Sequence, residues 1–212
     1  MEELLSKSRE FHDLPAEEKA EFGDNGDPFS PIRHGTSFHP PAEDVHYWRD
    51  FLKVLTSPVF NFPHKPPGYR EVGFEYSQKI TVVARKLIQG ISESLGLESN
   101  SIIESSSFDS GSQIMAVNFL VVNIGDQLEA LSNGRYASVL HRAILNNKDT
   151  RISLVVVNGP ALDKEIGPAP ELLEKEKPLF KSIKYCDYFQ VQQKSRLSDE
   201  RALDHIRFSF QQ

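Results

Sequence analysis

Val121 to Asn158, VVNIGDQLEALSNGRYASVLHRAILNNKDTRISLVVVN, is the stretch on which the fold reading turns. Two β-rich runs, Ala137 to Leu145 and Arg151 to Val157, flank Asn146-Asn147-Lys148-Asp149, a turn-forming tetrad, and together they predict a hairpin. Just upstream, Phe119 to Ile124 is apolar except for Asn123 and suits a buried strand. Asp126 fits the N-cap of a short helix over Gln127 to Leu131. Side chains alternate across a strand, so His141, Ala143 and Leu145 share one face, and Arg151, Ser153 and Val155 share a face of the next strand. If both faces look into a barrel, an imidazole and a guanidinium line one cavity. A buried guanidinium requires an anion, and its planar fork suits a carboxylate, to which Ser153 adds a hydroxyl. Taken singly these signals are weak. A lone strand histidine is more often a satisfied polar residue, and an isolated arginine more often a surface charge.

Outward from this stretch the pattern is helical. Val72, Tyr76, Ile80, Val83, Leu87, Ile91 and Leu95 recur at helical spacing, with Gly96 suited to the C-terminal cap, and predict a long core-packing helix. Leu4, Leu5, Ser8 and Phe11 predict another at the start of the chain, and Pro15 opens a short one through Phe22. Residues 23–46, rich in Gly, Pro, Asp and His, read as a long surface loop, and 46–55 as a short aromatic strand or turn. Residues 159–178 read as a Pro-, Glu- and Lys-rich loop. A helical tail follows, with Ile183, Tyr185, Tyr188 and Phe189 on its apolar side.

Bulk properties narrow the function. A chain of 212 residues suits one good-sized core, and a net charge of −6 argues against nonspecific nucleic-acid binding. No apolar run approaches a membrane span, the first residues are acidic rather than signal-like, and the one cysteine, Cys186, fits a reducing compartment. A cytoplasmic protein with no membrane and no nucleic-acid partner is expected.

The same residues resemble the plant Fe(II)/2-oxoglutarate-dependent dioxygenases, the isopenicillin N synthase-like family, and within it the enzymes of flavonoid-like and other specialised metabolites. The most specific match is Asn123-Ile124-Gly125-Asp126-Gln127-Leu128 with Ser132-Asn133-Gly134 and Val139-Leu140-His141-Arg142. It extends over nearly the whole chain. Glu10-Phe11 with Leu14-Pro15-Ala16-Glu17-Glu18-Lys19, then Tyr47-Trp48-Arg49-Asp50-Phe51-Leu52, and the helix ending Ile91-Ser92-Glu93-Ser94-Leu95-Gly96-Leu97 look like successive family segments. The resemblance implies an α+β fold: a partial double-stranded β-helix (jelly roll) with a long packing helix and a helical C-terminal tail. Residues 1–110 would form the helical N-terminal part, 111–178 an incomplete β-helix core and 179–212 the tail. It implies His141 as a ligand of Fe(II), and Arg151 and Ser153 as the holders of the 2-oxoglutarate carboxylate, with ascorbate as the customary reductant. Phe38, Tyr47, Trp48 and Phe51 would line a pocket for a small planar substrate, although such aromatics are more often plain core.

Three parts of the family pattern are missing. No His-x-Asp or His-x-Glu occurs anywhere in the chain, and Gln113 to Asn118 runs directly into Phe119, where the family has further strands carrying those ligands. The family's Asn-x-Tyr reads Asn118-Phe119-Leu120, without the hydroxyl. A strand-and-helix region is also expected ahead of Met1. One protein ligand holds iron(II) poorly. His12, His34, His39, His46, His64 and His205 have no ligand partner at a recognised spacing and read as surface histidines. The expectation is a dioxygenase relative with impaired turnover. The alternatives are a non-catalytic binding or regulatory protein that takes a planar metabolite, or one that self-associates or pairs with a full-length relative through an exposed sheet edge. An active enzyme with unusual ligands has only Asp109 and Asp126 nearby to draw on.

Overall fold

A four-stranded antiparallel sheet, in the order β1-β2-β3-β4, carries the architecture. The computed structural model describes residues 1–27, 29–36, 50–111, 113–117, 122–141, 152, 154–194 and 201–209. The strands are β1 (Ile32–Thr36), β2 (Asp50–Ser57), β3 (Gln113–Val117) and β4 (Leu154–Asn158). Register fixes the two faces of the sheet. Ile32 pairs with Val54, Val54 with Met115, and Met115 with Val156, so these four point one way. That face is covered by helices α1 (Glu2–Asp13) and α3 (Tyr69–Ser94), whose Leu4, Phe11 and Tyr69 join Val54, Phe62, Met115 and Leu154 in one core. The short helix α2 (Ala16–Lys19) and a 3₁₀ turn, Ala20–Phe22, bring Phe22 into the same core, and α4 (Ser101–Ser105), which follows α3, buries Ile102 and Ile103.

The opposite face carries Arg33 beside Lys53, Gly35 beside Phe51, Leu55 beside Ile114 and Ile114 beside Val157. A second core covers part of it. Ala130 of α5 (Asp126–Leu131) and Tyr185, Tyr188 and Phe189 of α7 (Tyr185–Lys194) pack there with Ile166, Phe180, Leu203 and Ile206, and Ile114 leans against them. A two-stranded ribbon, β5 (Glu165–Ile166) with β6 (Ile183–Lys184), stands beside it. On β4, Val155 and Val157 point to this face and are 54% and 47% exposed. One face of the sheet is thus packed by helices, while among the described residues the other is covered only at the β1–β2 side and the middle.

The structure corrects several sequence readings. The loop expected over 23–46 contains β1, whose Gly35 hides its strand character. Of the hairpin expected over 137–157, residues 137–141 are irregular, 142–151 and 153 lie outside the described residues, and β4 pairs with β3. Phe119, the start of the expected buried strand, lies outside the described residues, as do 120 and 121, and 122–125 are irregular. The loop over 159–178 includes β5 and helix α6 (Pro170–Leu173). Asp126 is the first residue of α5, with Gly125 at the N-cap.

The long helix exists as expected and ends with Gly96 at φ +77, the left-handed position for which glycine is suited. Its buried face is displaced by one residue from the expected stripe, to Tyr69, Gly73, Ser77 and Ser92. Small residues there let α3 close onto Phe62, while Val83 and Leu87 of the apolar stripe remain exposed.

Candidate functional site

The approach to His141 is held by α5 and the turn after it. Ser132 accepts the Tyr136 amide hydrogen at 3.0 Å, and Asn133, at φ 51, receives the Leu179 amide on Oδ1 at 2.8 Å and donates to the Lys177 carbonyl at 3.0 Å. Glu129 is 5% exposed and has three partners. Its Oε2 accepts the Ser138 amide at 2.6 Å and an Arg201 hydrogen at 3.3 Å, and its Oε1 accepts from Arg207 at 2.6 Å. Asp126, one helical turn earlier, accepts from the Tyr188 hydroxyl at 2.6 Å and from Arg201 at 3.2 Å. Burial, then the Asp126 carboxylate, pushes the Tyr188 phenol well above its ordinary range, so Tyr188 stays a donor. The C-terminal tail is in this way fastened to the helix that launches the His141 segment.

His141 itself is exposed and irregular in backbone. Its Nδ1 lies 2.9 Å from the Val139 carbonyl oxygen, and since a carbonyl only accepts, Nδ1 carries the hydrogen and Nε2 the lone pair. That tautomer suits a ligand. The surroundings do not: among the described residues no three His, Cys, Asp or Glu side chains come together in a way that could hold a metal ion. Leu140, beside it, is 91% exposed. The described residues by themselves therefore do not make an iron(II) centre around His141.

Arg151 and Ser153 lie outside the described residues, as do Phe38, Tyr47 and Trp48. Phe51 is placed on the partly covered face of β2, its ring 3.2 Å from the position a Cβ would occupy on Gly35. On the same face Arg33 grips Asp24 through two bonds of 2.8 Å, which holds the Asp24 carboxyl below its usual range. Lys53 sits 5.3 Å over the Phe189 ring, and burial pulls its ammonium down to about 8. A cleft lies elsewhere, on the α-helical face, lined by Ser57, Thr81, Gly111, Gln113 and Asn158, and the buried Gln113 amide there bonds Thr81, Asn158 and the Thr56 hydroxyl at 2.8–3.0 Å.

Sequence reasoning missed Glu129, Arg201 and Arg207. The available signal was two acids three apart on a short helix (Asp126, Glu129) and two arginines in the tail. It also took His12 and His34 for surface residues, whereas both are half-buried with their rings against Phe11.

Comparison with known proteins agrees with the fold. The profile of the 2OG-Fe(II) oxygenase superfamily matches residues 73–160. The chain is 30% identical to 2-oxoglutarate-dependent dioxygenase 19 of Oryza sativa subsp. japonica, over 99% of this chain and 77% of that protein. It is 31% identical to flavanone 3-dioxygenase 2 of the same plant, over 96% and 75%. The first alignment runs over 263 positions against a chain of 212 residues, so stretches of the relative within the aligned span have no counterpart here. Among solved structures, JOX2 in complex with 2OG, Fe and JA superposes with a TM-score of 0.81 at 19% identity, over 97% of this chain and 77% of that one.

Proposed function

The chain belongs to the 2OG-Fe(II) oxygenase superfamily, and from that premise we propose that it is a shortened member with little or no turnover of its own. The superfamily uses Fe(II) and 2-oxoglutarate, and the relatives act in plant metabolism. Here the reading is a jelly-roll remnant with one iron-ligand histidine, His141, and a 2-oxoglutarate carboxylate grip at Arg151 and Ser153. The observation that carries it is the isolation of His141: exposed, off any strand, and in a sequence with no His-x-Asp or His-x-Glu. Iron(II) affinity rests on several ligands in fixed geometry, so this arrangement supports weak binding at most. The single cysteine is consistent with a reducing, cytoplasmic setting. No helix among the described residues is long and apolar enough to cross a membrane.

The test is 2-oxoglutarate decarboxylation by the purified chain with Fe(II), ascorbate and O₂, beside His141→Ala and Arg151→Ala. Folded protein without turnover is expected. Turnover abolished by both substitutions would overturn the reading.

A second reading is a binding or regulatory role, through a planar metabolite near Phe51 or through pairing with a full-length relative or a second copy. It is favoured by the exposure of Val139 and Leu140 ahead of His141 and of Val155 and Val157 on β4. Co-purification with a full-length relative is its expected signature. A monomer that retains neither partner nor planar metabolite would exclude it.

A further inference from the structure

We propose that His12 and His34 form a proton-sensitive latch that fastens α1 to the outer face of the sheet while both imidazoles are neutral and loosens it on acidification. His12 lies in the last turn of α1 and His34 on β1, on the face that α1 covers. Their ring centroids are 5.9 Å apart, and both rings pack edge-on against the fully buried Phe11, at 5.5 and 5.4 Å. His12 Nδ1 and His34 Nε2 are buried without a hydrogen-bond partner. A neutral imidazole has one bare nitrogen, so each ring satisfies its site by keeping its hydrogen on the other atom. Protonation leaves no such choice: it puts a hydrogen on the buried nitrogen, where no acceptor waits, and it sets two positive rings side by side.

The neighbouring charges do not reverse this. Lys19 of α2, whose ammonium reaches the His12 carbonyl at 2.5 Å, opposes protonation of both rings. Asp50 of β2 favours it for both and Asp13 for His12, as do the carbonyl ends of α1. Asp50 is exposed and already holds the Thr36 hydroxyl at 2.6 Å. Burial dominates, and both imidazoles lie below their ordinary value of 6.5. The unfolded chain then takes up protons that the folded chain refuses. The latch is fully closed above the ordinary histidine value and gives way as pH falls below it.

The experiment is urea denaturation of the full chain at about pH 7.5 and about pH 5.5, with intrinsic-rate-corrected hydrogen exchange of the α1 amides at both. His12→Gln/His34→Gln is the variant. His34→Phe, which keeps a ring on Phe11, stands in should the double variant fail to fold. One refused proton shifts the folded-to-unfolded ratio about tenfold per pH unit. With two such imidazoles and about one pH unit crossed below their ordinary value, wild type is therefore expected to lose up to about a hundredfold more on acidification than the double variant, with α1 exchange rising first, and His34→Phe to remove part of that loss. Parallel acid losses in wild type and either variant, or α1 protection unchanged by pH in wild type, would overturn the proposal.

Discussion

Glu129 reaches from helix α5 to the amide of Ser138, at 2.6 Å, three residues ahead of His141. The same carboxylate takes hydrogens from Arg201 and Arg207, so one buried group sets the path of the chain toward His141 and holds the C-terminal tail. A carboxylate taken out of water is tolerable when it accepts several charge-assisted bonds, and Glu129 accepts three. The arginines are about one-third exposed, whereas Glu129 is not, which makes their roles unequal.

Removing the cations should therefore cost more than removing the anion. Glu129→Ala frees Arg207 to turn toward water, leaves Arg201 on Asp126, and leaves the Ser138 amide without its acceptor, at a cost of about 2 kcal/mol. Arg201→Met/Arg207→Met strands a buried negative charge on a single amide, at a cost of about 3–5 kcal/mol. Urea denaturation midpoints of the two variants check the order. Recovery of stability in the triple variant Glu129→Gln/Arg201→Met/Arg207→Met is the further expectation, because no charge is then left buried.

How legible this was follows from the distance over which each element is specified. Helices α1, α3 and α7 were visible because their periodicity is local, and Tyr188 and Phe189 were placed on the correct side of the tail. The sheet was less legible. β4 follows a run suited equally to a hairpin, and only tertiary packing decides that it pairs with β3. The fold itself was read from the resemblance carried by Asn123–Leu128, Ser132–Gly134 and Val139–Arg142, and the structure gives the turn residues of that motif definite tasks. The partners of Glu129 lie 72 and 78 residues away in sequence, and nothing local announces them.

Gly73 is the clearest test of how α3 sits. A Cβ at this position would lie 2.6–2.7 Å from three ring carbons of Phe62, a buried ring already packed edge-on to Tyr69. Alanine gains about 1 kcal/mol of helix propensity over glycine. The overlap should outweigh it, since forcing extra volume into a packed core typically costs about 1–3 kcal/mol. A net loss in thermal stability for Gly73→Ala is expected, together with relief in Gly73→Ala/Phe62→Leu. A gain in the single variant would show that the helix stands farther off Phe62 than its small face indicates.

The alkaline limb of stability should report on Tyr69. Its hydroxyl lies 3.0 Å from Ser8, and burial pushes the phenol up to about 12 from an ordinary 10. An acid whose folded value is raised contributes stability that is complete below the unfolded value and is lost as pH rises above it. Between pH 10 and about 12 the unfolded chain ionises while the folded chain does not, so stability falls with rising pH. Tyr69→Phe loses the Ser8 contact, about 1 kcal/mol at neutral pH, and has a shallower decline above pH 10. Denaturation midpoints at about pH 8 and about pH 11 separate the two effects.

Leu140 distinguishes an open remnant from a closed barrel. In a closed double-sheet fold the residues on either side of an inward-facing position alternate between core and an outer face that helices or solvent cover. Here Leu140 is 91% exposed and Val139, its neighbour, 59%, so neither side of the segment is buried. Leu140→Lys should then change stability by no more than about 0.5 kcal/mol, the range for surface sites without special contacts. Val139→Lys should be equally harmless, which alternation in a packed strand would forbid. Both substitutions should instead lower the tendency to self-associate, because each removes exposed apolar surface. Sedimentation of the wild type and both variants reads this directly. A loss of 2 kcal/mol or more in either variant would mean that the His141 segment is packed as a strand, and the case for an isolated metal ligand would lose its main support.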